Sequence, residues 1–158
     1  MYLLLKTLHV FAVVLFLGNI ITGVFWKTHA ERTRDPRLIA HAFEGITGSD
    51  RWFTIPGVVV IIATGVLAAI NARLPILGTG WILWSLVLFA VSGVAFMVWV
   101  APLQRRIAAF ARAAGATQLD WARYREMAQR WELWGLVAVI TPLAALVLMV
   151  LKPDLPAL

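Results

Sequence analysis

The chain has 158 residues, of which 61% are hydrophobic and 14% charged; soluble domains carry about 25% charged residues, so composition argues for one compact membrane domain. A net charge of +6 would suggest nucleic acid in a soluble protein. Here the positive residues gather in two loops with no base-stacking motif, which points to topology control and anionic lipid headgroups and sets nucleic acid aside. The absence of cysteine excludes disulfides, iron–sulfur clusters and thiolate metal sites.

Four apolar stretches are long enough to cross about 30 Å of hydrocarbon at about 1.5 Å rise per residue: Tyr2–Trp26, Phe53–Ile70, Trp81–Ala101 and Leu133–Leu151. Trp26, Trp52, Trp81, Trp99, Trp131 and Trp134 fall near their ends, as in an interfacial aromatic belt. The first run exceeds a signal peptide's apolar region of about 7–15 residues and no A-x-A-like site follows it, so it reads as a retained helix. The fold class predicted is all-α: a polytopic membrane protein, an antiparallel four-transmembrane-helix bundle with cytoplasmic helical extensions, forming a single domain over residues 1–158.

Eleven of the fourteen lysines and arginines lie in the loops 27–51 and 102–132. The positive-inside rule therefore places these loops in the cytoplasm and both termini outside, in a bacterial inner membrane. In the first loop Asp35-Pro36 reads as an N-cap and first helical position, opening a short amphipathic helix over Arg37–Glu44. Gly45, Gly48 and Ser49-Asp50 are expected to break it and cap the second span, which Pro56 is expected to kink. The glycines and proline of Asn71–Gly80 predict a tight turn, with spans two and three packed antiparallel. Span three is expected to continue to about Ala114. Gly115-Ala116-Thr117-Gln118 then turns the chain, and Asp120 caps a helix leading into span four. The product would be a helical hairpin projecting into the cytoplasm.

Helical spacing puts Tyr2, Leu5, His9, Ala12, Phe16, Asn19 and Gly23 on one face of the first span, and Val10, Val14, Leu17 and Ile21 on a lipid face. Gly57, Ile61, Gly65 and Ala69 form a small-residue seam on the second. Trp81, Ser85, Phe89, Ser92, Phe96 and Trp99 align on the third, and Gly135, Ala138, Thr141, Ala145 and Met149 on the fourth. Such stripes serve close packing, and Asn19, Ser85, Ser92 and Thr141 suit interhelical hydrogen bonds.

His9 is the one ionisable residue between Leu8 and Phe25, and an ionisable residue in a span marks a functional site by default. A neutral imidazole there can ligate haem iron, bind a metal, relay protons or hydrogen-bond a carbonyl. The spans offer no Asp, Glu, Cys or second His to complete a metal cage. Met149 is the one span methionine on an inward stripe in the outer half, and stands as a candidate sixth ligand. His29 and His41 match no metal spacing and read as a solvated pair.

Leu5-Lys6-Thr7-Leu8-His9-Val10 followed by Gly18 resembles the opening of the HemJ-type protoporphyrinogen IX oxidases, and of the CopD membrane domain. His29-Ala30-Glu31, the run Arg51-Trp52-Phe53-Thr54-Ile55-Pro56 leading to Ala63-Thr64-Gly65, and Val150-Leu151-Lys152-Pro153 are similar to later parts of the HemJ pattern. The layout is also that of an uncharacterised family of bacterial four-span membrane proteins. The HemJ resemblance implies haem b held by His9 and a porphyrinogen substrate near the membrane; Phe16 and Ser85 are the residues expected to line a haem pocket beside His9. The family's third-span lysine is missing, Trp84 or Ser85 standing in its place, so the resemblance does not carry oxidase activity over. The function expected is an inner-membrane protein that binds haem b through His9 and exchanges electrons with quinone. The alternative is a non-enzymatic membrane component, an assembly partner or small transporter subunit, docking through its arginine-rich cytoplasmic helices to a membrane protein or to its own copies. Copper handling of the CopD type ranks third.

Overall fold

The computed structural model describes residues 1–115 and 118–158. Four long helical rods run antiparallel, each long and apolar enough to cross a membrane, and the described residues contain no strand. The first rod is α1 (Tyr2–Thr33). The second joins α2 (Pro36–Ser49) through a π-helical turn at Asp50–Thr54 to α3 (Ile55–Asn71). The third joins α4 (Gly80–Ala95) through a π-helical turn at Phe96–Val100 to α5 (Ala101–Ala114). The fourth is α6 (Trp121–Leu151). Both termini and the loop after α3 lie at one end, here the terminal end. The two arginine-rich connections lie at the other, the basic end.

The helix starts follow local chemistry. Arg34 takes the left-handed conformation (φ 53°) to close α1. Asp35 then caps α2, its carboxylate accepting the Arg37 N–H at 2.8 Å, with Pro36 at the first helical position. Asp120 caps α6 through the N–H groups of Ala122 and Arg123, both at 3.1 Å. α5 runs to Ala114 as expected. In the turn expected over 115–118, Ala116 and Thr117 lie outside the described residues.

The expected break at Gly45 and Gly48 does not occur: the second rod is helical from Pro36 to Asn71. A helical glycine costs about 1 kcal/mol relative to alanine, whereas burying one large apolar side chain contributes about 1.5–3 kcal/mol. α2 buries Ile39, Phe43 and Ile46 on one face, which outweighs both glycines. Asp50, expected to be a cap, is instead a buried residue inside the rod.

Pro56 and Pro102 each follow a π-helical turn by two residues. In these turns Ile55 and Ala101 donate their N–H groups to the carbonyls five residues back, Asp50 and Phe96. Proline has no N–H, and its ring presses on the carbonyl four residues earlier. A turn widened by one residue shifts that ladder and accommodates the ring. Both middle rods therefore stay continuous past their prolines.

The rods associate in pairs. Towards the terminal end α1 packs on α3 and α4 on α6. Spans two and three run antiparallel, but their close packing is between α2 and α5, at the basic end, and not across the Asn71–Gly80 connection. The larger core lies there too. Ile39, Phe43, Ile107, Ala111, Tyr124, Ala128 and Trp131 bury against one another together with Ala30 of α1. The expected free hairpin is thus one side of a four-helix core, with an ion pair from Arg112 to Glu44 tying α5 to α2. A smaller cluster of Ala12, Phe16, Leu17 and Ile61 lies farther along the bundle. Leu17 is buried in it rather than facing lipid, while Val10, Val14 and Ile21 are exposed as expected.

After α6 the chain folds back over the loop before α4. The Leu158 N–H bonds the Leu77 carbonyl at 3.1 Å, and the Trp84 indole donates to the Pro156 carbonyl at 3.1 Å. Gly80 lies against the Leu155 carbonyl with no room for a Cβ.

Candidate functional site

His9 is half-buried between α1 and α3. Its Nδ1 lies 2.9 Å from the Ile61 carbonyl oxygen and 3.3 Å from Thr64 Oγ1. The Thr64 hydroxyl itself donates to the Val60 carbonyl. A carbonyl oxygen only accepts, so Nδ1 carries the proton. In the neutral ring Nε2 then holds the lone pair, and no described residue hydrogen-bonds it. Gly65 makes this seat: a Cβ there would stand 3.0 Å from Cε1 and 3.2 Å from Nδ1 of His9. The small-residue seam read from the sequence therefore receives the histidine as well as the α1 backbone, Gly57 lying similarly against Phe16 and Ala12.

Phe16 is on the same face of α1, seven residues on and about 10 Å away along the axis. It is buried, and its ring meets Phe89 of α4 at 5.7 Å between centroids, bridging the two helix pairs. Ser85 is 2% exposed and turned into the α4–α6 seam, where its hydroxyl lies 2.7 Å from the Trp81 carbonyl and 3.3 Å from that of Ala145. Ser92 does the same farther along, donating to the Ala138 carbonyl at 2.7 Å. Met149 is half-buried on α6. Lys27 of α1 meets Glu132 of α6. Counting from that contact at about 1.5 Å per residue, His9 and Met149 both lie about 26 Å towards the terminal end. They share a level on rods that are joined at the basic end through side chains, Lys27 to Glu132 and Tyr124 to Glu31. The structure thus puts His9 and Phe16 on one face, sets Met149 level with His9, and keeps Ser85 in a separate seam.

Two polar constellations escaped the sequence reading. Lys27, with a side chain 4% exposed, pairs with Glu31 at 2.7 Å and with Glu132, while the Tyr124 hydroxyl donates to Glu31 at 2.8 Å. This network locks α1 to α6. The second surrounds Asp50, 7% exposed. Its carboxylate accepts from Asn19 Nδ2 at 3.1 Å, Thr54 Oγ1 at 2.7 Å and Gln104 Nε2 at 3.1 Å. It thereby joins α1, the π-helical turn and α5. The available signal was that Asp50 lies three residues before an apolar stretch and six before a proline. His29 and His41 are exposed, and both line a cavity between α1 and α2; His29 also stacks on Phe25. No group of three or more potential metal ligands exists among the described residues.

The family of predicted integral membrane proteins designated DUF2269 matches residues 3–153. The chain belongs to this family. The DUF2269 match spans all four rods, including His9 and the Asp50 cluster. No curated protein and no solved structure matches the chain.

Proposed function

We propose that this DUF2269 protein holds haem b through Nε2 of His9, as an integral protein of the bacterial inner membrane with its basic end in the cytoplasm. The observation that carries this reading is the Nδ1–H donated to the Ile61 carbonyl. Histidines that ligate metals typically give their other ring N–H to a carbonyl or carboxylate, which fixes the tautomer and orients the ring. Thr64 and Gly65 hold the ring in place, and the shared level of Met149 favours it as a second ligand from α6. Phe16, against Phe89, would close the basic side of the site with apolar surface. Ser85, used within its own seam, is left out. When bound, haem b supplies one-electron redox chemistry, for which a membrane quinone is a fitting partner. The missing third-span lysine argues against porphyrinogen oxidation.

The test is haem stoichiometry in purified protein from haem-supplemented cells. Wild type should retain haem, His9→Ala should lose it, and added imidazole should restore part of it. Equal haem in wild type and His9→Ala would remove the assignment. A second reading, a cofactor-free membrane component, is supported by the same hydrogen bond taken as interhelical glue. It predicts no haem in any variant, and a stoichiometric partner lost on reversing the charges of Arg123 and Arg125.

A further inference from the structure

We propose that Asp50, with Asn19, Thr54 and Gln104, forms a site for one exchangeable positive charge, a proton or a sodium ion, reached from the basic end of the bundle. This rests on observations independent of His9.

The first observation is depth. Asn19 belongs to the stretch from Leu8 to Phe25 in which His9 is the one ionisable residue. Its bond to Asp50 therefore brings a carboxyl group to the level of the apolar band. Ionisable groups there are costly and are associated with proton relays and ion pathways. The second is charge. All three groups bonded to Asp50 are neutral, and no described basic residue pairs with it. The third is an excess of acceptors. Gln104 is 2% exposed, and its Oε1 is buried without a hydrogen-bond partner among the described residues. Its amide already points at Asp50, and rotating it would turn Oε1 to the carboxylate. Carboxylate, amide and hydroxyl oxygens from three rods are then gathered at one point, as hard cations require. A proton on Asp50 would equally donate to Oε1.

The fourth observation is access. A cavity of about 490 Å³ runs between α1 and α2, lined by Asn19 and Ser49 beside Asp50 and by Gly45, His41, His29 and Thr33 towards the basic end. The charged neighbours on every adjoining element are accounted for. On α1, Lys27 is held by Glu31 and Glu132; on α2, Glu44 is held by Arg112; Arg51 beside Asp50, and Arg105 and Arg106 of α5, are exposed; α3 has none. His29 and His41 are the titratable groups along the path, suited to relaying a proton.

The experiment uses wild-type protein in detergent with carbon-13-labelled aspartate. The chain has four aspartates, and Asp35, Asp120 and Asp154 are not buried, so the Asp50 carboxyl carbon should stand apart. Its shift is followed against pH, and against sodium chloride with choline chloride holding ionic strength constant. If sodium is the charge, the Asp50 signal moves saturably with sodium and not with choline. Thermal stability then rises with sodium, and Asp50→Asn abolishes that rise. If the proton is the charge, sodium has no effect, and Asp50 titrates with a midpoint that Gln104→Leu displaces by at least tenfold in proton affinity. An Asp50 signal that responds to neither sodium nor pH overturns the proposal, as does a titration identical in wild type and Gln104→Leu. The wild-type measurement stands even where a variant fails to fold, and haem content plays no part in it.

Discussion

Removing the carboxylates from the Lys27 network should destabilise the protein more than removing the lysine. The lysine side chain is 4% exposed, whereas Glu31 and Glu132 are 27% and 54% exposed. Stripping one partner from a buried ion pair costs about 3–5 kcal/mol, because the remaining charge is buried without compensation. Exposed pairs contribute about 0–1 kcal/mol. In Glu31→Gln/Glu132→Gln the ammonium is the group left behind, almost wholly out of water, so the loss should approach about 3 kcal/mol. The amide introduced at position 31 still accepts from Tyr124, so that hydrogen bond is not a confounding loss. In Lys27→Met the carboxylates are left behind, and both reach solvent. Methionine fills much of the stem's volume, so the loss should be about 1 kcal/mol. The assay is unfolding in mixed micelles on titration with sodium dodecyl sulfate, followed by far-ultraviolet circular dichroism. A Lys27→Met variant as destabilised as the double carboxylate variant, or more so, would refute the reasoning.

The same assay should separate the basic-end core from the seams. Phe43→Ala, at a side chain 1% exposed and edge-on to Trp131 at 5.5 Å, should cost about 3 kcal/mol through cavity formation. Ser92→Ala, which removes one interhelical hydrogen bond, should cost about 0.6 kcal/mol, the average measured for such bonds in membranes; comparable losses in the two variants would contradict this division. Gly80→Val should expel the C-terminal segment from its place over the α4 start, because the new Cβ would meet the Leu155 carbonyl. Limited proteolysis with an endoprotease that cuts on the amino side of aspartate should then cleave before Asp154 in the variant and spare the wild type, and equal cleavage would show that the segment is not held there.

What was legible in the sequence was what depends on short-range periodicity. The four spans, the caps at Asp35 and Asp120, the extension to Ala114 and the inward face of α1 through His9, Phe16 and Asn19 all follow from spacing along one helix. The seam from Gly57 to Ala69 was legible too, although that it seats His9 depends on which helix neighbours α1. What was lost depends on pairing between distant segments. Asp50 looked like a cap because serine and glycine precede it, and its partners Asn19 and Gln104 lie 31 and 54 residues away. Lys27 looked like one more loop cation until α6 brought Glu132 to it. The basic connections were expected to form a short amphipathic helix and a projecting helical hairpin, because their arginines suggested solvated faces. Yet Ile39, Phe43, Ile107, Tyr124 and Trp131 recur at helical spacing and build the larger core. A proline follows each π-helical turn by two residues, but proline alone does not signal one, since α6 carries Pro142 without such a turn.

The central claim is that His9 presents a free Nε2 to haem iron. The measurement that tests it most directly is the reduced-minus-oxidised absorption spectrum of the wild-type protein, purified in detergent from haem-supplemented cells. Haem ligation by His9 gives a Soret band and a reduced α-band that are both lost in His9→Ala. A featureless spectrum would contradict it and leave His9 as a hydrogen-bonded contact between α1 and α3.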